Sequence, residues 1–172
     1  GIGRWGDAIT EQIDEYCGID FSGELIKIAR ERNEKANYFF YEGAVTDIET
    51  VLSQNKKADY NVILLMGILI YVNDADLETF LEQLEHRCME HTRICIREPI
   101  GIQERLTLKE FFSEDLNDNY NAIYRTRGEL VAFLEKGLLR KGFKIEQEGF
   151  LFEESNLNNR KETTQYYFVL GR

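Results

Sequence analysis

Three groups of residues have types and spacings that could do chemistry. The first is Gly1-Ile2-Gly3-Arg4-Trp5-Gly6, followed by Tyr16-Cys17-Gly18-Ile19-Asp20, a short apolar stretch that ends in a carboxylate. Closely spaced glycines let a backbone pass against a bulky ligand and open a helix whose free N–H groups face it. A carboxylate closing the next strand can accept both hydroxyls of a ribose. This pairing suits a nucleoside-type cofactor. The second group is Glu98, placed before Pro99, together with Tyr71 beyond the central apolar run. Glu98 could orient a hydroxyl or amine acceptor, or pair with Arg97 or another arginine; Tyr71 could line a pocket or pack beneath its turn. The third is Tyr120, Tyr124 and Arg125. These could cap an acceptor, with Arg125 binding an anionic group, or could anchor their segment to the domain.

Composition narrows the partners. The net charge of −10 argues against a nucleic-acid surface, because phosphate binding needs a cationic footprint. Lys136, Arg140, Lys141 and Lys144 cluster, but a solvated helix end favoured by its dipole explains them. The apolar run 62–72 is far too short to cross a bilayer, and the opening residues carry no signal-peptide pattern. The three cysteines, Cys17, Cys88 and Cys95, form no paired motif, so reduced thiols and a cytoplasmic setting are expected. His86 and His91 do not share a helix face, and no cluster has metal-ligand spacing; no metal is expected.

The elements that must position these groups alternate. Ala8, Ile9 and Ile13 predict a first helix, 16–20 a strand, and Ser22 the N-cap of a second helix with Leu25, Ile28 and Ala29 on its inner face. A strand over 37–42 ends at Gly43, and 47–58 is weakly helical. The run 60–66 reads as a strand covered on both faces. Asp74 begins a helix carrying Leu77, Phe80, Leu81, Leu84 and Cys88, and 93–98 is a strand stopped by Pro99. Residues 101–123 lack periodicity and read as an insertion over the sheet. Thr126-Arg127-Gly128-Glu129 fits a capping box before a helix bearing Leu130, Phe133, Leu134 and Leu138, closed by Gly142. The stretches 143–152 and 165–170 have no helix between them and should pair antiparallel. An α/β fold follows, with a mostly parallel sheet, helices on both faces and a closing antiparallel hairpin. At 172 residues, one domain spanning 1–172 is expected. A glycine turn of this type follows a strand, so a first strand is expected upstream of Gly1.

Taken together these segments resemble the class I S-adenosylmethionine-dependent methyltransferases, over essentially the whole chain. Gly1-Ile2-Gly3 is similar to the last two glycines of the family's acidic-x-Gly-x-Gly-x-Gly motif, and Gly18-Ile19-Asp20-Phe21-Ser22 to its second motif. The resemblance implies a Rossmann-like three-layer sandwich and S-adenosyl-L-methionine as cofactor. It also implies that Asp20 binds the ribose hydroxyls, Phe21 flanks the adenine and Trp5 touches the methionine part. The third motif usually reads Gly-Asp-Ala; here Gly43-Ala44-Val45 stands, so the adenine amino contact is lost or passes to Asp47 or a backbone group. The segment 60–74 resembles the family's fourth strand and turn, placing Met66 and Gly67 at the cofactor, although Ile70 stands near where many relatives carry histidine. The implied reaction is methyl transfer to an oxygen or nitrogen of a small polar metabolite or natural product, with acceptor contacts from strand ends and a cap at 101–125. A sulfonium already supplies the leaving group, so the protein must align donor and acceptor, exclude water and take up a proton where needed.

Two other readings stand beside this one. Gly1-x-Gly3-x-x-Gly6 with Asp20 also matches a nicotinamide-dinucleotide fingerprint, though a dehydrogenase would need a second substrate domain. A methyltransferase-like module that binds a partner without catalysis would show the same fold, and Ala44 favours it slightly.

Overall fold

The computed structural model describes residues 1–9, 12–55, 59–113, 118–152 and 160–172. They form two compact units, Gly1–Ala58 and Asp59–Arg172.

In the first unit the order is α1 (Arg4–Ala8), β1 (Tyr16–Asp20), α2 (Gly23–Arg32), β2 (Tyr38–Glu42), a 3-10 turn (Val45–Asp47) and α3 (Ile48–Leu52). β1 and β2 pair in parallel, in register from Tyr16–Tyr38 to Asp20–Glu42. Ser22 caps α2, its hydroxyl accepting from the Leu25 N–H at 3.4 Å. The buried face of α2 is Ile26 and Ala29, packed on Tyr38 and Phe40, rather than the expected Leu25, Ile28 and Ala29. Ile28 is exposed, because helical geometry sets Ile26, Ala29 and Asn33 in one row and turns Ile28 away. The first helix is also shorter than expected. Ile9 is already extended, and Ile13 packs directly against the α2–β2 core instead of extending a helical stripe. A five-residue helix has little cooperativity to extend it, whereas the core offers Ile13 immediate burial.

The second unit contains β3 (Tyr60–Met66), a 3-10 turn (Leu69–Tyr71), α4 (Asp74–Glu85), β4 (Cys88–Gly101), β5 (Leu106–Ser113), β6 (Asp118–Tyr124), α5 (Arg127–Gly137), β7 (Lys144–Phe150) and β8 (Thr163–Gly171). Its main sheet has the order β3-β4-β8-β7. β3 and β4 run parallel, while β8 is antiparallel to both β4 and β7. The closing hairpin is therefore as expected, but the sheet is mixed rather than mostly parallel: the hairpin inserts β8 beside β4, so both neighbours of β8 oppose it. β3 stands at the edge of this sheet and is open over Asn61 and Val62, the latter 57% exposed, where cover on both faces was expected.

Three boundaries differ from the sequence reading. Cys88 opens β4 and does not close α4, although its Sγ still reaches the Leu84 carbonyl at 3.3 Å. β4 continues through Pro99 to Gly101. The Ile102 N–H donates to Glu162 at 3.0 Å, so ladder alternation turns the Pro99 nitrogen away from β8 and toward β3, whose pairing has ended at Arg97. A residue without an N–H costs nothing at that edge. The aperiodic segment forms the β5–β6 hairpin, with a register shift between Leu108 and Phe111 and Glu110 at φ 48°. A bulge of this kind breaks the two-residue alternation that a sequence reading needs.

The α5 capping box is present in full, with Thr126 and Glu129 exchanging hydrogen bonds. α4 buries Leu77, Phe80, Leu81 and Leu84, and α5 buries Leu130 and Leu134. The two helices approach closely at Gly137, where a Cβ would lie 2.8 Å from that of Leu81. The basic cluster faces acids of α4: Lys136 pairs with Glu78 and Arg140 with Glu82, each at 2.6 Å. Among the described residues no helix is long and apolar enough to cross a membrane.

Candidate functional site

In the first unit the candidate residues converge where β1 and β2 end. The Gly43 N–H donates to the Asp20 carbonyl at 3.0 Å, tying the start of Gly43-Ala44-Val45 to β1. The Asp20 carboxylate accepts from the Ser22 N–H at 2.9 Å through one oxygen and from the Gly1 nitrogen through the other. Phe21 projects beside it, 78% exposed. Ala44 is extended and starts the 3-10 turn through Val45, with Asp47 exposed at its end. Trp5 lies exposed on α1.

Gly3 adopts φ +77°, and its carbonyl accepts the Gly6 N–H at 2.9 Å. A Cβ at Gly3 would stand 2.6 Å from the buried Asn33 amide, and one at Gly6 would stand 2.7 Å from the same side chain. Asn33 holds the turn by donating to the Gly3 carbonyl at 3.4 Å and the Ala29 carbonyl at 3.2 Å. The glycine spacing thus serves a close approach to α2, whatever else the turn meets.

In the second unit β3 ends at Met66-Gly67. Gly67 has φ +72°, and its N–H donates to the Arg97 carbonyl at 2.7 Å. The next turn is held by two buried charged groups. Glu98 is 1% exposed, and its Oε1 accepts the N–H groups of Ile68 at 2.8 Å and Leu69 at 3.0 Å. Its Oε2 is buried without a hydrogen-bond partner among the described residues. Burial pushes this carboxyl up to about 7, against the pull of the Leu69, Ile68 and Ile70 N–H groups and the Arg97 charge. Arg97 itself bonds Gln165 at 3.1 Å, so the expected ion pair with Glu98 does not form.

Arg125, also 1% exposed, donates to the carbonyls of Leu69 at 2.9 Å and Val72 at 2.6 Å and twice to Asp74 Oδ1. Of its two expected roles, this geometry serves the anchoring one. Asp74 stays below the usual carboxylate range: burial pushes it up, but hydrogen bonds from Arg105 and Arg125 outweigh that.

Tyr71 leaves the turn 58% exposed. Its phenol is raised by burial and by the nearby Tyr120 and Glu98, so it is a neutral donor. The Tyr120 and Tyr124 hydroxyls lie 3.4 Å apart, and burial followed by the Tyr120 hydrogen bond pushes Tyr124 up to about 12. Arg160 joins them, donating to the Tyr120 hydroxyl at 3.1 Å with its guanidinium carbon 4.5 Å from the Phe111 ring centre. Sequence reading did not single out Arg160. It lies forty residues from Tyr120, and no local pattern marks it.

The methyltransferase-domain family profile matches residues 1–90, more than half of the chain. The chain belongs to the methyltransferase-domain family. Structures of S-adenosylmethionine-dependent methyltransferases share its fold. The Burkholderia thailandensis 1,6-didemethyltoxoflavin-N1-methyltransferase, solved with 1,6-didemethyltoxoflavin and S-adenosylhomocysteine bound, is 13% identical with a TM-score of 0.71; the match covers 100% of this chain and 67% of that one. An S-adenosylmethionine-dependent methyltransferase from Mesorhizobium loti is 12% identical with a TM-score of 0.67, covering 98% and 84%. One from Leishmania major is 11% identical with a TM-score of 0.64, covering 92% of this chain and 55% of that one. The methyltransferase domain described here thus spans little more than half of that relative's length. No curated protein gives a significant sequence match.

Proposed function

We propose that this domain binds S-adenosyl-L-methionine and transfers its methyl group to an oxygen or nitrogen of a small polar molecule. The observation that carries the reading is the meeting of Asp20, Ser22 and Gly43 at the carboxyl ends of β1 and β2. Asp20 is placed to accept ribose hydroxyls, Phe21 offers a free ring face to the adenine, and the Ala44-Val45 backbone stands in for the missing acidic side chain. Gly3 and Trp5 are assigned to the methionine part. When bound, the cofactor supplies an activated methyl group on a positively charged sulfur. The chain's own residues then orient the acceptor and exclude water. Tyr71 enters as an exposed phenol available to the acceptor, and Glu98 as the group that fixes the turn bearing it. The Burkholderia relative's bound small molecule supports a small acceptor.

Calorimetric titration with S-adenosylhomocysteine tests the assignment. Micromolar binding is expected, with Asp20→Ala weakening it roughly a hundredfold, as loss of charged hydrogen bonds to both ribose hydroxyls implies. Absence of binding to folded protein sinks the cofactor assignment and favours a partner-binding module.

A further inference from the structure

In a chain with 31 acidic and 21 basic side chains, most arginines find a carboxylate. Arg105, Arg125, Arg127, Arg140 and Arg172 each do so. Arg160 is not among them: among the described residues no carboxylate pairs with it, and its partners are the Tyr120 and Tyr124 hydroxyls and the face of Phe111. It is half-buried, so its charge is less screened than that of a surface arginine. Phe111 in turn packs edge-on against Tyr120, with ring centres 5.8 Å apart, which fixes the cluster on the β5–β6 hairpin.

The hydrogen-bond inventory of this cluster is one-sided. Arg160 can only donate, and it has five N–H groups. Tyr120 accepts one of them. The two tyrosines share a single bond between their hydroxyls, which uses one of their two protons. The Tyr124 phenol stays protonated at neutral pH, raised by burial and by the Tyr120 hydrogen bond against the pull of Arg160. The cluster therefore presents surplus donors and one uncompensated positive charge. That is the complement of an oxyanion.

We propose that Arg160, with the Tyr120 and Tyr124 hydroxyls, forms a subsite that recognises a carboxylate or phosphate group on the methyl acceptor. The inference rests on the methyltransferase reading and refines its substrate class. It also moves the anion-binding role expected of Arg125 to an arginine whose donors are free to perform it.

Sodium phosphate and sodium malonate, titrated separately at constant ionic strength and followed by amide NMR shifts, test the subsite. Saturable shifts centred on Phe111, Tyr120 and Tyr124 are expected at roughly millimolar anion, weakened about tenfold in Arg160→Gln and less in Arg160→Lys, which keeps the charge but loses the fork. Saturation by phosphate alone assigns a phosphorylated acceptor, and by malonate alone a carboxylic one. Arg160→Lys keeps the comparison informative if Arg160→Gln unfolds. Shifts that do not saturate, or that persist unchanged in the variants, overturn the proposal. S-adenosylhomocysteine titrated into the same samples separates the two readings: its affinity should stay within about twofold in Arg160→Gln. Anion binding without cofactor binding would remove the methyltransferase assignment and leave the subsite standing.

Discussion

Asp20 and Glu98 occupy equivalent positions in their two units, and their surroundings could hardly differ more. Each carboxylate comes where a parallel strand pairing ends: Asp20 at the last β1–β2 pair, Glu98 one residue beyond the last β3–β4 pair. Asp20 stands beside the exposed Phe21 and takes a single main-chain N–H on Oδ1. Glu98 is sealed under a 3-10 turn whose N–H groups it accepts, with its other oxygen buried and unpartnered among the described residues. The difference separates a carboxylate left half-buried at a strand end from one used up by the fold. The same distinction divides Arg160, with free donors, from Arg125, whose donors go to Leu69, Val72 and Asp74.

The sharpest way to break this division is to remove the group most consumed by the fold. Arg125→Met should lower unfolding free energy by about 3 kcal/mol, because the Leu69 and Val72 carbonyls lose their partners in a buried setting. Chemical denaturation measures it. A loss below about 1 kcal/mol would mean that water or neighbours replace the guanidinium, and that Arg125 is freer than its geometry implies.

Asp20→Ala should behave in the opposite sense. The hundredfold loss of S-adenosylhomocysteine affinity corresponds to about 2.7 kcal/mol, while stability should change by less than about 1 kcal/mol, since only the Ser22 N–H and the exposed Gly1 nitrogen lose an acceptor. A large stability loss with unchanged affinity would make Asp20 a structural residue like Glu98.

The next contrast is in pH. Glu98 titrates near 7 in the folded protein because it is buried, well above the ordinary carboxylate value. Between the two values the folded state holds the extra proton, so this group favours folding at low pH and its contribution is lost as pH rises toward 7. Glu98→Gln stays neutral throughout and keeps an oxygen for the Ile68 and Leu69 N–H groups. Relative to it, the wild type should lose stability with a slope of up to about 1.4 kcal/mol per pH unit between roughly pH 4.5 and 7. Urea melts of both proteins at pH 5, 6, 7 and 8 give the difference directly. Parallel profiles would show that the Glu98 carboxyl is hydrated and not sealed.

Much of the fold could be read from the sequence where signals are local. The Thr126–Glu129 capping box, the Ser22 cap, the Gly142 stop at φ +98° and the apolar face of α4 are all set by residues within one or two turns. Glu98 and Tyr71 were visible as chemistry-bearing types at strand and turn ends. What could not be read depends on partners distant in sequence. Whether Glu98 meets Arg97 or a main-chain turn thirty residues away is decided by the register of β3 on β4. Pro99 stops a strand only if its nitrogen faces a neighbour, and that too is a property of the sheet. The β5–β6 bulge erased the periodicity that would have announced a hairpin, and with it the setting of Tyr120 and Arg160.

The smallest effect tests the most local part of the comparison. Ser22 touches Asp20 through its main-chain N–H, and α2 through its side-chain hydroxyl. The hydroxyl bond is long, 3.4 Å to the Leu25 N–H, so Ser22→Ala should cost about 0.5 kcal/mol, at the low end for a helix cap. The Asp20 contact survives the substitution because alanine keeps the N–H. Affinity for S-adenosylhomocysteine should therefore stay within about twofold even as the thermal midpoint falls by about one to two degrees. If affinity falls with the cap, the start of α2, and not the Ser22 N–H alone, is what holds the Asp20 carboxylate in position.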